Sequence, residues 1–308
     1  MRFFPALLFL AAAPHAVRLP HNPIVTPESS ASLGDNINGP SLIAVPTWIS
    51  HPLGRYYLYF AHHQGKYIRL AYADNLTGPW KIYEPGVLRI EDVPLCHDHI
   101  ASPDAHVDSA EHRIRLYFHC PAAGEGKAIE IQKSGVALSA DGLHFTAKNV
   151  ALGAPYFRVF QWRGTYYSIA RSGVVSRSAD PLAAFEQGPT LFHEDPKLEL
   201  RHAAVDVRGD TLSIYFSRIG DRPERIVVSH IALTPDWIHW KTSPPETVIA
   251  PEKDYEGADR PLETSKMDLA PGRVRELRDP AIFRENGKTY LLYTISGESG
   301  IAIAELRP

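Results

Sequence analysis

The 308 residues include only two cysteines, Cys96 and Cys120, too few for a disulfide scaffold. Neither sign of charge is in excess: the formal net charge is −3, which gives no global reason to expect a nucleic-acid partner. The chain has no glycine-rich phosphate loop, no nucleophile elbow and no basic amphipathic helix, so nothing points to a nucleotide, an α/β-hydrolase site or a membrane surface. Linkers and low-complexity stretches are missing as well, and one large domain is expected. One apolar run, Phe3 to Ala13, follows the basic Arg2 and leads into small residues through Ala16. It is too short to span a bilayer comfortably and has the layout of a secretory signal. We expect a signal segment over 1–16, cleaved after Ala16, and a mature domain over 17–308 that is secreted or periplasmic. In such an oxidising compartment a Cys96–Cys120 bridge is open to the chain, although the hairpin register we expect for the second blade sets Cys120 nearer His99 than Cys96.

What the chain has instead is a phrase that returns five times, a tight turn followed by tyrosines and aliphatics. The copies begin at Pro52, Ser109, Arg163, Arg208 and Asn286, and end in runs such as Tyr56-Tyr57-Leu58-Tyr59-Phe60 and Thr289-Tyr290-Leu291-Leu292-Tyr293. Strand-and-turn repeats of roughly 40 to 60 residues mark units that each form a small sheet and bury its faces only against neighbours. The expected fold is all-β, a five-bladed β-propeller of four-stranded antiparallel blades. A short apolar run precedes each phrase as an inner strand, and a third strand follows it. An aspartate turn (Asp74, Asp141, Asp180, Asp236) then leads to an aromatic outer strand carrying Trp80, Phe145, Phe185 or Trp240. The fifth unit stops without an outer strand, and Pro23-Ile24-Val25-Thr26 is expected to supply it.

Propeller geometry puts the starts of the inner strands and the ends of the second strands on one face. Asn38-Gly39-Pro40, Ser102-Pro103-Asp104, Phe157-Arg158, Arg201-His202 and Arg278-Asp279-Pro280 all open inner strands. Three of these place proline in a strand that should be central, where it removes a ladder donor, so a special local geometry is expected there. Asp104, Arg158, His202 and Asp279 are expected to surround one axial pocket. His62, His63, His119, Arg171 and Arg218 end second strands on the same face. With Arg158, Arg201, His202 and Arg278 they make a mouth suited to carboxylate or sulfate groups, unless they serve to neutralise the aspartates. Cys96-His97-Asp98-His99 carries four metal-binding side chains, but neighbours on an extended segment point to opposite sides and the spacing is not that of a zinc site. A polar loop is expected there.

Ala101-Ser102-Pro103-Asp104-Ala105-His106-Val107 and Arg278-Asp279-Pro280-Ala281-Ile282-Phe283, set in five tyrosine-rich units, resemble glycoside hydrolase family 43 and its five-bladed relatives. The resemblance covers everything after the signal segment. It implies a three-carboxylate site, with an aspartate base on the first blade, an orienting aspartate on the second and a glutamic acid on the third. Asp104 matches the second position, while Asn38 stands where the base belongs and Phe157-Arg158 where the acid belongs. The substitutes are Asp279 as base, in its Asp-Pro context, and Glu256 on the longest loop as acid, its pKa raised by Tyr255; Asp35 is a further candidate. Asn38, His62, His119, Arg158, Arg171, His202, Arg218 and Arg278 would bind substrate. The resemblance thus implies an exported glycosidase acting by inversion on a poly- or oligosaccharide, acidic if the positive mouth is free. It also leaves open a non-catalytic carbohydrate-binding propeller, a phosphorolytic relative, and an axial calcium ion near His202. No other cofactor, membrane or nucleic acid is expected.

Overall fold

The computed structural model describes residues 14–122, 131–192, 198–270 and 272–308. Five four-stranded antiparallel sheets surround one axis. The first four blades run inner to outer in chain order. They are Asn38–Ala44, Tyr56–Ala61, Tyr67–Ala73 and Lys81–Arg89; Ala101–Asp108, Arg113–Pro121, Gln132–Ser139 and Thr146–Ala147; Arg158–Trp162, Thr165–Ile169, Val174–Ser178 and Glu186–Thr190; Glu199–Arg208, Thr211–Ile219, Ile226–Ala232 and Glu246–Ile249. The fifth is Arg278–Glu285, Lys288–Thr294 and Ile301–Arg307, closed by the N-terminal His15–Arg18. Among the described residues helix is limited to single 3-10 turns.

The repeated tyrosines explain why the blades lean on one another. Tyr57, Tyr59, Tyr117 and Tyr293 are fully buried between sheets, where a ring supplies apolar area and its hydroxyl needs a partner. Tyr59 of the first blade donates to Gly142 O (2.9 Å), in the aspartate turn of the second, and Tyr117 of the second donates to Pro181 O (3.3 Å), in the turn of the third. The aspartates hold those turns: Asp141 Oδ1 accepts from Leu143 N and His144 N, each at 2.9 Å, and Asp180 Oδ1 from Leu182 N at 2.8 Å. The outer-strand aromatics sit just ahead of their strands rather than inside them. Trp80 and Trp240 donate their indole N–H to Leu76 O and Thr234 O, wedging the turn against the sheet.

Closure of the ring differs from the expectation. His15–Arg18 pairs with the last strand, His15 opposite Arg307 and Arg18 opposite Ala304. Pro23-Ile24-Val25-Thr26 contributes only the isolated bridge Val25 to Ile301, because the edge beside it is already filled. Cleavage after Ala16 would therefore cut this strand in half. The apolar run Phe3 to Ala13 lies outside the described residues.

Cys96 and Cys120 form a disulfide, with Cα atoms 5.5 Å apart and a separation of 24 in sequence. The bridge ties the long connection before the second blade to that blade's second strand. Loop-closure entropy for such a separation is worth about 3 kcal/mol. We expect Cys96→Ala with Cys120→Ala to lower the melting temperature by several degrees without changing the far-ultraviolet circular dichroism; an unchanged melting point would mean that the bridge adds no stability.

Candidate active site

Each proline-bearing inner strand is broken by a bulge near its start. The register shifts between Asn38 and Ser41, between Ala101 and Asp104, and between Arg278 and Ala281. The residue before each proline is in the left-handed region: Gly39 at φ 59, Ser102 at φ 49 and Asp279 at φ 47. A bulge takes one residue out of the ladder, so the proline at that place costs no ladder bond. The fourth inner strand is bulged too, between Leu200 and Ala203. Glycine is required at 39 for a second reason, since a Cβ there would stand 3.0 Å from the Ser102 Cα of the next blade. The bulges turn His202 and Asp279 toward each other at the top of the axis.

There the Nδ1 atom of His202 lies directly against Oδ1 of Asp279. The second aspartate oxygen accepts from Gly39 N and Thr294 Oγ1, both at 3.3 Å. The His202 ring faces Tyr156 at 4.5 Å between centroids, and Tyr156 in turn covers His119 at 3.8 Å. Tyr156 holds φ at 66, an uncommon conformation for a bulky residue that the stack on both sides maintains. Burial and the nearby guanidiniums of Arg158 and Arg201 push the His202 imidazole well below its usual range, and burial with neighbouring cationic groups does the same to His119. Both shifts favour the neutral rings, and Nδ1 of His202 faces the aspartate.

Above this pair opens a pocket of about 170 Å³. His202, Tyr156 and Gln132 line one part of it, and Arg171, Asp268 and Glu298 another. Glu298 is clamped by Asn36 Nδ2 at 2.5 Å, Arg278 Nη1 at 3.0 Å and His63 Nδ1 at 3.3 Å. Although burial opposes it, His63, Arg278 and Asn36 hold its carboxyl down at about 2. Arg201 bonds Glu224 at 2.8 Å, and Arg278 bonds Glu276 at 2.8 Å through Nε. Burial raises the Glu276 carboxyl above its usual range despite Arg278.

These contacts sort the residues singled out from sequence. His202 and Arg171 line the pocket, with Asp279 buried behind His202, His119 behind Tyr156 and Asn38 buried one residue before Gly39. Asp104 and Arg158 also open inner strands but do not share the pocket. Asp104 sits beyond its bulge, lower on the axis, where it accepts from Val159 N and pairs with His106, both at 2.9 Å. Arg158 is held by the carbonyls of Ala203, Ser102 and Pro103. The expected single pocket is thus two spaces on one axis. His62 stays at the rim, 3.9 Å from Asp35. Arg278 is engaged by glutamates, Arg218 pairs with Asp221 at 3.3 Å and Arg171 with Glu199 at 3.3 Å, so the guanidiniums do not form an open anion site.

Glu256 is no candidate acid. It is fully buried, and its oxygens accept from Arg18 Nε (2.7 Å), Arg18 Nη2 (2.8 Å), Tyr293 Oη (2.8 Å), Glu252 N (2.9 Å) and Lys253 N (3.0 Å). It locks the closing strand to the longest loop. Sequence reasoning missed Glu298, Tyr156 and Gln132. Glu298 follows the fifth tyrosine phrase as His62 and His63 follow the first, and that position was the available signal. As for an axial calcium, His202 Nδ1 is occupied by Asp279, and among the described residues no group of three or more His, Cys, Asp or Glu could hold a metal. The donors around His202 do not fit a calcium cage of hard oxygens.

Two tests follow from this geometry. Removing one partner of a buried ion pair costs roughly 3 to 5 kcal/mol, so Glu256→Gln is expected to lower the unfolding free energy by about 3 kcal/mol with turnover of the folded molecules intact. A stable but inactive variant would restore Glu256 as the acid. The second concerns pH. The unfolded chain protonates its histidines near 6.5, whereas His119 and His202 stay neutral in the fold to much lower pH. Stability must then fall as pH drops below about 6.5. A second loss sets in as pH falls from 4.5 toward 2, where the unfolded form takes the proton that folded Glu298 refuses. Melting temperatures across this range check it, with His119→Gln flattening the upper part; a rise on acidification through 6 would show His202 charged against Asp279.

No family model matches the chain. It is 37% identical over 322 residues to the uncharacterized protein R118 of Acanthamoeba polyphaga mimivirus, spanning 94% of this chain and 90% of that protein. Among solved structures it resembles a family 43 β-xylosidase/α-arabinofuranosidase from a compost microbial metagenome, in complex with xylotriose, with a TM-score of 0.60, 15% identity and coverage of 94% of both chains. A family 43 enzyme of Xanthomonas citri complexed with xylose gives 0.61 and 14%, covering 95% of this chain and 90% of that one. An N-acetylgalactosamine deacetylase from F. plautii, in complex with blood group B trisaccharide, gives 0.58 and 11%, with coverage of 96% and 94%. At these identities the likeness is one of fold, the five-bladed propeller of family 43.

Proposed function

Since the chain belongs to the family of the mimivirus protein R118 and is folded as a family 43-like propeller, we propose that it is a carbohydrate-active hydrolase taking one terminal sugar into the upper axial pocket. The observation that carries this is the neutral His202 backed by Asp279 beside that pocket. A neutral imidazole oriented by a buried carboxylate is a general base, in the manner of hydrolase triads. Tyr156 offers a ring face, and Gln132 and Arg171 offer polar atoms, the mixture that sugar hydroxyls and C–H faces require. Fold alone does not settle chemistry, as the deacetylase on the same scaffold illustrates.

In the reaction we propose, His202 takes a proton from water while the water oxygen attacks the anomeric carbon. The glycosidic C–O bond breaks, and the leaving oxygen takes its proton from solvent at the open mouth of the pocket, where Asp268 stands. This is a single displacement with inversion. Because the mouth arginines are matched by Glu199, Glu224, Glu276 and Glu298, we propose an uncharged sugar rather than an acidic one. The disulfide supports an oxidising compartment, and we propose export with cleavage before His15, which keeps the closing strand whole.

A second reading, a sugar-binding propeller without catalysis, is favoured by the saturation of Glu298 and Glu256 with hydrogen bonds. Product release from neutral and acidic oligosaccharides, with and without phosphate, separates the two. We expect hydrolysis of neutral substrates with the inverted anomer formed first by proton NMR. Asp279→Asn and His202→Ala should each lower turnover by about 10²-fold or more, the usual worth of a positioned base. Retention would overturn the mechanism, phosphate dependence would indicate phosphorolysis, and saturable binding with no product would favour the binding module.

A further inference from the structure

Below His202 and Asp279 the axis opens into a second cavity of about 160 Å³. Residues from the middle of all five inner strands form its wall, among them Ser41, Asp104, His106, Arg158, Val205 and Ile282. Arg158 closes the upper end. Its Nε donates to Ala203 O at 2.9 Å and its Nη1 to Ser102 O at 3.2 Å and Pro103 O at 3.3 Å. The side chain is deeply buried, the residue being only 4% exposed, yet Nη2 has no partner. Across the cavity Asp104 commits Oδ2 to Val159 N and His106 Nε2, and Oδ1 remains as its second acceptor. The His106 side chain is 31% exposed, so the cavity is reached from solvent. The proposed hydrolysis uses none of these groups.

We propose that this lower cavity is a second binding site, for one small uncharged polyhydroxy molecule such as a monosaccharide. Guanidinium and carboxylate meet in it with opposite charges. An anion placed on Arg158 would face Asp104, and a cation on Asp104 would face Arg158, so neither sign is favoured. A hydroxyl group meets both demands, accepting from Nη2 and donating to Oδ1, and adjacent hydroxyls on one ring do so together. Charged partners make such bonds strong, and a ligand that supplies them satisfies a nitrogen that is otherwise buried without a bond. The volume suits one sugar ring rather than a chain.

The test uses the whole protein with labelled histidines. The His106 imidazole resonance, assigned through His106→Ala, reports on the lower cavity alone. D-xylose or glycerol is expected to shift it saturably in the wild type and equally in His202→Ala, which disables the upper site. Asp104→Asn should weaken that binding at least tenfold, the other histidine signals showing that the fold is intact. If that variant does not fold, Ile282→Phe, which narrows the cavity, is expected to do the same. A shift produced by inorganic phosphate alone, a shift lost in His202→Ala, or no shift with any probe would overturn the proposal. Absence of glycosidase activity would leave these outcomes unchanged.

Discussion

A blade in this protein is a sheet with two apolar faces and two open edges, and it is stable only inside a closed ring. Closure rests on the four residues His15–Arg18, paired with the last strand of the chain. Arg18 then binds Glu256, which also takes the Tyr293 hydroxyl and two backbone N–H groups of the longest loop. That carboxylate holds together the N-terminal strand, the fifth blade and the loop that covers one side of the mouth. A fully buried charge is tolerable only with such complete satisfaction. The axial site inherits its geometry from this ring, since its residues come from strands of different blades.

On the axis the same logic runs in polar terms. Bulges bring backbone and side chains of neighbouring blades within bonding distance, as in the contact of Gly39 N with Asp279. Arg201 and Arg278 are shared among Glu224, Glu276 and Glu298. Such a network specifies one arrangement, because losing any member leaves a buried charge without a partner. It also leaves His202 and Tyr156 as the groups with unspent capacity beside the pocket, and these carry the chemistry and the recognition in our reading.

The fold was legible because its cause is local and repeated. Five tyrosine phrases and four aspartate turns each do one job, packing between blades or holding a turn, and periodicity made them visible. The prolines at 40, 103 and 280 likewise announced a broken strand, and a bulge is there in each case. The site was less legible, because which groups face the axis depends on contacts far apart in sequence. Glu256 reads as a loop acid until Arg18, 238 residues away, is seen to bind it. Asp279 and Asp104 lie in similar proline motifs, yet the first precedes its proline within the bulge and the second follows its proline just past the bulge, and two residues of offset send them to different levels of the axis. The closing strand was misplaced because Pro23-Ile24-Val25-Thr26 and His15–Arg18 are equally short, and only pairing with Ile301–Arg307 distinguishes them.

The bulged inner strands bear on how crowded molecules of this chain behave. A sheet edge with free N–H and C=O groups is a template on which another chain can add a strand and begin to aggregate. Here one edge of every blade is turned inward to a narrow axis, and in three blades a proline and a kink interrupt it near its start. A foreign strand finds no straight run of donors there. At the rim the fifth blade is covered by His15–Arg18, and Arg18 is anchored by its ion pair with Glu256. The ring that builds the site thereby also protects the protein from self-association through its sheets.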